Sequence, residues 1–115
     1  MPFLPCYLLA VPFPGRPDVK LDLLAIHAHP DDAELSCGGT LALAARQGYK
    51  VGILDLVAGE AGTRGSAGKR AEEAARAADT LGVLVRANAA LHDAHLHNTD
   101  ETRRRVIPLL RRFRS

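Results

Sequence analysis
Three short apolar runs, separated by helical segments that end in glycine, restrict this 115-residue chain to one kind of architecture. The first, Leu21-Asp22-Leu23-Leu24-Ala25-Ile26, has few turn formers and reads as a central strand of a parallel sheet covered on both faces. Val51 to Val57 repeats the pattern, and Val83 to Val85 with a few residues beyond makes a weaker third strand. After the first run, Gly38-Gly39-Thr40 opens a helix with Leu41, Leu43, Ala44 and Ala45 as its apolar positions and Gly48 as a left-handed cap. An alanine-rich helix follows from about Lys69 to Leu81 and stops at Gly82. Thr99 caps a last helix that places Val106, Leu109, Leu110 and Phe113 on one face, and Pro108 is expected to kink it or delay its start. The order β-α-β-α-β-α predicts an α/β three-layer sandwich around a parallel sheet with right-handed crossovers.

The densest chemistry sits directly after the first run, in Ala28-His29-Pro30-Asp31-Asp32-Ala33-Glu34. The carboxyl ends of parallel strands are where open α/β folds collect ligands. Pro30 fixes its own φ and drives His29 toward an extended conformation, so the polar side chains leave a stiff turn. Histidine and aspartate are both good zinc ligands, and a catalytic zinc takes three protein ligands beside an open position. His29 and Asp32 supply two, and Asp31 is placed to act as a general base on the attacking water. The same residues also suit an ordinary turn, with Asp32 capping the following helix.

The wider pattern resembles a known family. Leu-Asp-Leu-Leu-Ala-Ile at 21–26, Ala-His-Pro-Asp-Asp at 28–32, Cys-Gly-Gly-Thr-Leu at 37–41, Gly-Ile-Leu-Asp-Leu at 52–56 and Gly-Glu-Ala-Gly-Thr-Arg-Gly-Ser-Ala at 59–67 occur in that family's order. From Lys20 to Phe113 the chain resembles the N-terminal half of the PIG-L/LmbE-like zinc-dependent deacetylases. It is most similar to the bacillithiol-pathway subgroup that deacetylates N-acetylglucosaminyl malate. The resemblance implies a Rossmann-like fold, zinc held by His29 and Asp32, and Asp31 as the general base. It also implies Arg64 and Asp93 as grips on sugar hydroxyls, a role suited to forked guanidinium donors and a carboxylate acceptor. Around Asp93 the chain departs from the family's Leu-Pro-Asp-Gly, reading Leu91-His92-Asp93-Ala94.

In the family the third zinc ligand comes from a later His-Pro-Asp-His element, after the fourth strand. This sequence reaches Ser115 without one, so the expectation is an N-terminal part of a deacetylase domain over residues 20–115, truncated after the third β-α unit. A non-catalytic fragment or binding module that keeps the fold is the alternative. His92, His95 and His97 have a spacing that would offer a replacement ligand only if their loop folded inward, and exposed loop histidines are the commoner outcome. Residues 1–19 carry five prolines and read as a disordered or non-native extension.

Composition removes other classes. Fifteen Lys and Arg against thirteen Asp and Glu leave a net charge of +2, too small to argue for nucleic acid. The arginines from Arg103 to Arg114 suit the solvated face of an amphipathic helix. The proline-rich start fits neither a signal peptide nor a membrane span. Cys6 and Cys37, without paired spacing, suit a reducing cytoplasm. Gly62 to Lys69 fails the phosphate-loop spacing, and Arg70 stands where serine or threonine is required. The expected partner is a small-molecule aminosugar conjugate, and homo-oligomerisation is compatible with the resemblance.

Overall fold
The computed structural model describes residues 7–9, 19–57, 67–92 and 96–113. Its elements are β1 (Tyr7–Leu9), β2 (Leu23–His27), α1 (Asp32–Arg46), β3 (Val51–Val57), α2 (Ala67–Leu81), β4 (Val85–Leu91) and α3 (Asp100–Phe113). The strands form one sheet in the order β1-β4-β3-β2, and every pairing is parallel. This is the expected α/β sandwich. One face carries α3, whose Val106, Leu109, Leu110 and Phe113 pack with Leu54, Val57, Val85, Ala87 and Leu91. The other carries α1 and α2, where Leu41 and Ala78 meet Val51, Ile53 and Val83.

Strand periodicity produces this division. In β4, Val85, Ala87, Ala89 and Leu91 join the α3 cluster, so Arg86 and Asn88 must face the other layer. A register irregularity between Asp55 and Val57 shifts the end of β3, where Val57 pairs with Leu91. Gly48 (φ +93°) and Gly82 (φ +77°) end α1 and α2 in the left-handed conformation their sequence positions predicted.

Four details differ from the sequence reading. The run Leu21–Ile26 reads as a central buried strand, yet β2 lies at the end of the sheet, with Leu23 37% and Ile26 43% exposed. Apolar composition reports hydrophobicity, whereas position depends on partners, and among the described residues only β3 pairs with β2. Residues 1–19 read as an extension without regular structure, but Tyr7–Leu9 pairs with Arg86–Asn88 and supplies hydrogen-bond partners along the outer edge of β4. α1 begins at Asp32 rather than Gly38, with a break at Cys37 (φ −142°, ψ 20°) that marks off its first turn. α3 runs through Pro108 uninterrupted. Pro108 and Arg104 are both exposed, so the carbonyl that loses its amide partner is open to water.

Thr99 caps α3 as expected, its hydroxyl accepting the Thr102 amide at 3.2 Å. Phe113 is 1% exposed, and its carbonyl accepts the Leu21 amide at 2.9 Å, tying α3 back to the approach to β2. Phe113→Ala should cost about 3–5 kcal/mol. Ile107→Ala, on the exposed side of the same helix, should stay within about 0.5 kcal/mol. Urea unfolding of both variants checks the pair.

Candidate metal and catalytic site
The site forms where β2 ends. The Ala28 carbonyl accepts the Val57 amide at 2.9 Å, which moors the outgoing chain to the end of β3. The turn then closes on itself: the Asp32 amide donates to the His29 carbonyl at 3.2 Å, and the His29 amide donates to Asp32 Oδ2 at 2.9 Å. Pro30 between them is buried. Asp32 therefore supports the turn, and the residue at the helix cap position is Asp31.

Asp31 is held at φ 93°, in the left-handed region, and its side chain makes no capping hydrogen bond. A non-glycine residue there costs roughly 1–2 kcal/mol, which the surrounding contacts must offset. Its carboxyl titrates above the usual aspartate range. Partial burial is the first cause, the negative charges of Asp32 and Glu34 add to it, and Arg70 opposes it. A carboxylate free of capping duty and made more basic by its surroundings suits proton abstraction.

His29 Nδ1 and Asp32 Oδ2 lie 3.6 Å apart, and both side chains remain accessible, at 46% and 39%. Two donors of one tetrahedral zinc stand roughly 3.3 Å apart, so this pair fits a shared cation with little movement. Among the described residues no group of three or more His, Cys, Asp or Glu side chains converges on such a position. His92 and His97 are exposed, and His95 lies outside the described residues, as do Arg64 and Asp93.

His27 lies behind the turn. The Ser36 hydroxyl donates to the Asp32 carbonyl at 2.7 Å, so its 3.1 Å contact with His27 Nε2 is an accepted bond. That fixes the proton on Nε2, and the buried Nδ1 has no partner. Beside Asp31 a cavity of about 50 Å³ is lined by Pro30, Asp31, Glu34, Arg70, Glu73 and Ala74. Arg70 Nε is buried without a hydrogen-bond partner.

Beneath this cavity lies a buried charge network that the sequence reading did not single out. Arg86 donates from Nε to Asp55 Oδ2 at 2.7 Å and from Nη2 to Asp55 Oδ1 at 3.0 Å, and both residues are 0% exposed. Arg86 Nη2 also stands 2.9 Å from Glu34 Oε1, and Nη1 donates to the Ala74 carbonyl at 3.3 Å. Burial acts to lower the Arg86 pKa, but the bonds to Asp55 and Glu34 outweigh it, so the guanidinium stays charged. Burial pushes Asp55 upward against the pull of Arg86. The available signal was one lone carboxylate and one lone cation inside two otherwise apolar strands. Asn88 continues the polar seam, donating to the Val57 carbonyl at 2.8 Å and accepting the Ala90 amide at 2.7 Å. Ala90 is left-handed (φ 54°), and its carbonyl accepts Arg105 Nη1 at 2.8 Å. Arg105, read from sequence as part of a solvated face, thus braces the exit of β4.

The family profile described as PIG-L: GlcNAc-PI de-N-acetylase matches residues 24–115, and the chain belongs to this family. Among curated relatives, the uncharacterized deacetylase YaiS of Escherichia coli K12 is 40% identical over 80 residues, covering 68% of this chain and 43% of that protein. The conserved protein TT1542 of Thermus thermophilus superposes with a TM-score of 0.76 at 46% identity, covering 80% of this chain and 42% of that one. The N,N'-diacetylchitobiose deacetylase of Pyrococcus horikoshii gives a TM-score of 0.72 at 29% identity, over 77% of this chain and 36% of that one. The chain therefore spans less than half the length of these relatives.

Arg86→Met should lose about 3–5 kcal/mol at neutral pH, because it strands a buried carboxylate. Burial already holds the folded Asp55 pKa above the unfolded value, and loss of Arg86 raises it further. The penalty is then present above that folded pKa and is relieved as pH falls through it, so the gap to the parent chain should narrow on acidification. Denaturant unfolding at several pH values measures both effects.

Proposed function
We propose that the protein to which this chain belongs hydrolyses the N-acetyl group of an N-acetylglucosamine conjugate, releasing acetate and a free amine. The observation that carries this reading is the convergence of His29 and Asp32 beside an uncapped, left-handed Asp31. Family membership and the aminosugar named in the family description and in the Pyrococcus relative support the substrate class. N-Acetylglucosaminyl malate is the specific substrate we favour, by the resemblance of the motif set.

His29 and Asp32 would hold a zinc ion through an imidazole nitrogen and a carboxylate oxygen. When bound, the metal supplies Lewis acidity, which polarises a carbonyl and makes water acidic enough to react near neutral pH. Asp31 takes a proton from the attacking water as its oxygen bonds to the acetyl carbon. The same carboxyl then returns that proton to the departing nitrogen as the C–N bond breaks. Arg64 and Asp93, outside the described residues, are proposed to bind sugar hydroxyls. No described helix is long and apolar enough to cross a membrane. A reducing cytoplasm is the proposed setting, in keeping with two cysteines that lack C-x-x-C spacing.

Acetate release from N-acetylglucosaminyl malate and from diacetylchitobiose, with and without added zinc, tests the reading directly. Zinc-dependent release supports it. Stoichiometric zinc with no acetate from either compound would instead favour a binding module that keeps the fold. In an active protein, Asp31→Asn should lower turnover by about 10²–10⁴-fold at unchanged zinc content. His29→Ala should lower the zinc content itself, measured by metal analysis after dialysis.

A further inference from the structure
We propose that Glu34 is a positioning residue for the metal-binding turn. Arg86, locked into the sheet by Asp55, stands in a 2.9 Å ion pair with the Glu34 carboxylate and so fixes the first turn of α1, from which Asp31 and Asp32 project. This inference rests on the metal-site reading above and extends it to a residue that touches neither metal nor substrate.

Little within α1 itself holds that turn. α1 is broken at Cys37, so residues 32–36 lack rigid continuity with the rest of the helix. The cap residue Asp31 makes no side-chain bond to the turn, and the Asp32 carboxylate reaches back to the His29 amide. One turn of helix carrying two of the three site residues therefore needs anchors of its own. Three are present. Ala33 is fully buried against the sheet, Ser36 bonds the Asp32 carbonyl and His27, and Glu34 reaches Arg86. Of these three, the last ties the turn by a charged contact to the centre of the sheet.

Charge balance points the same way. Asp55 alone neutralises Arg86, with two hydrogen bonds in forked geometry and complete burial. Glu34 is surplus to that pair. It adds a second carboxylate at 2.9 Å from Nη2 and leaves the network with net negative charge next to Asp31 and Asp32. Its contact with Arg86 transmits the rigid placement of that side chain to α1. Groups that orient ligands from behind typically change metal affinity or activity by about 10–100-fold when removed.

Glu34→Gln, which preserves shape and removes charge, provides the test. In the metal-free chain, the backbone amide NMR shifts of Asp31, Asp32 and Ala33 should move while the thermal midpoint stays close to that of the parent. Zinc affinity, measured by competition with a chromophoric chelator, should fall about tenfold. Glu73→Gln is the control, because Glu73 lines the same cavity without joining the Arg86 network. It should leave both readouts unchanged. Unmoved amide shifts in Glu34→Gln would overturn the proposal, as would an equal loss of affinity in Glu73→Gln, which would mean that charge alone acts at a distance. A loss of affinity that merely tracks the unfolded fraction would also overturn it. If the parent chain binds no zinc while Glu34→Gln still displaces the amides, two donors alone do not retain the metal and the positioning role stands.

Discussion

The arrangement of this molecule depends on the buried ion pair between Arg86 of β4 and Asp55 of β3. Taking both charges out of water is costly, and the cost is met only when the geometry satisfies most of their hydrogen-bonding capacity. Here the guanidinium fork meets both Asp55 oxygens, and its remaining nitrogen reaches the Ala74 carbonyl of α2. The pair therefore specifies more than it stabilises. A one-residue slip of β4 would turn Arg86 into the apolar cluster of Leu54, Leu109 and Phe113 and place an alanine opposite Asp55. Register of the central strands, the seat of α2 and the footing of α1 all follow from that constraint.

The candidate site draws on this rigidity. Parallel strands deliver β2, β3 and β4 with their carboxyl ends on one edge, and the polar residues gather there: the turn at His29–Asp32, the irregular end of β3, and Asn88 with the left-handed Ala90. Asp31 sits in a conformation that its side chain does nothing to stabilise. Its strain is carried by the buried Pro30, the closed His29–Asp32 turn and the Glu34–Arg86 contact. A carboxyl freed from capping, its pKa raised first by partial burial and then by the negative charges of Asp32 and Glu34, is the consequence. The chemistry of Asp31 and the electrostatics beneath it are thus one arrangement.

Much of this was legible in the sequence. Short apolar runs marked three strands because a strand covered on both faces needs apolar side chains throughout, while apolar positions at helical spacing marked the helices and Gly48 and Gly82 their ends. The His-Pro-Asp-Asp string marked a candidate metal site through residue type and proline stiffness. Glu34, Asp55 and Arg86 were harder to see, since each is an ordinary residue alone and their meaning is pairwise. Their separation along the chain conceals contacts of hydrogen-bond length, 2.9 Å from Arg86 to Glu34 and 2.7 Å from Arg86 to Asp55. The exposed edge position of β2 was likewise invisible, because an apolar run is the same string whether it lies in the middle of a sheet or at its end.

Element order, parallel topology, family and the candidate donors His29 and Asp32 with Asp31 beside them were all written in the chain. They follow from local propensity, periodicity and short-range motif, which act within a few residues. Folding was needed to settle that Tyr7–Leu9 joins the sheet, that Pro108 is accommodated on an exposed helix face, and that a buried arginine braces the turn carrying the donors. Those outcomes depend on which groups remain unpaired once the strands are side by side, a property of the folded arrangement that no segment of the chain contains.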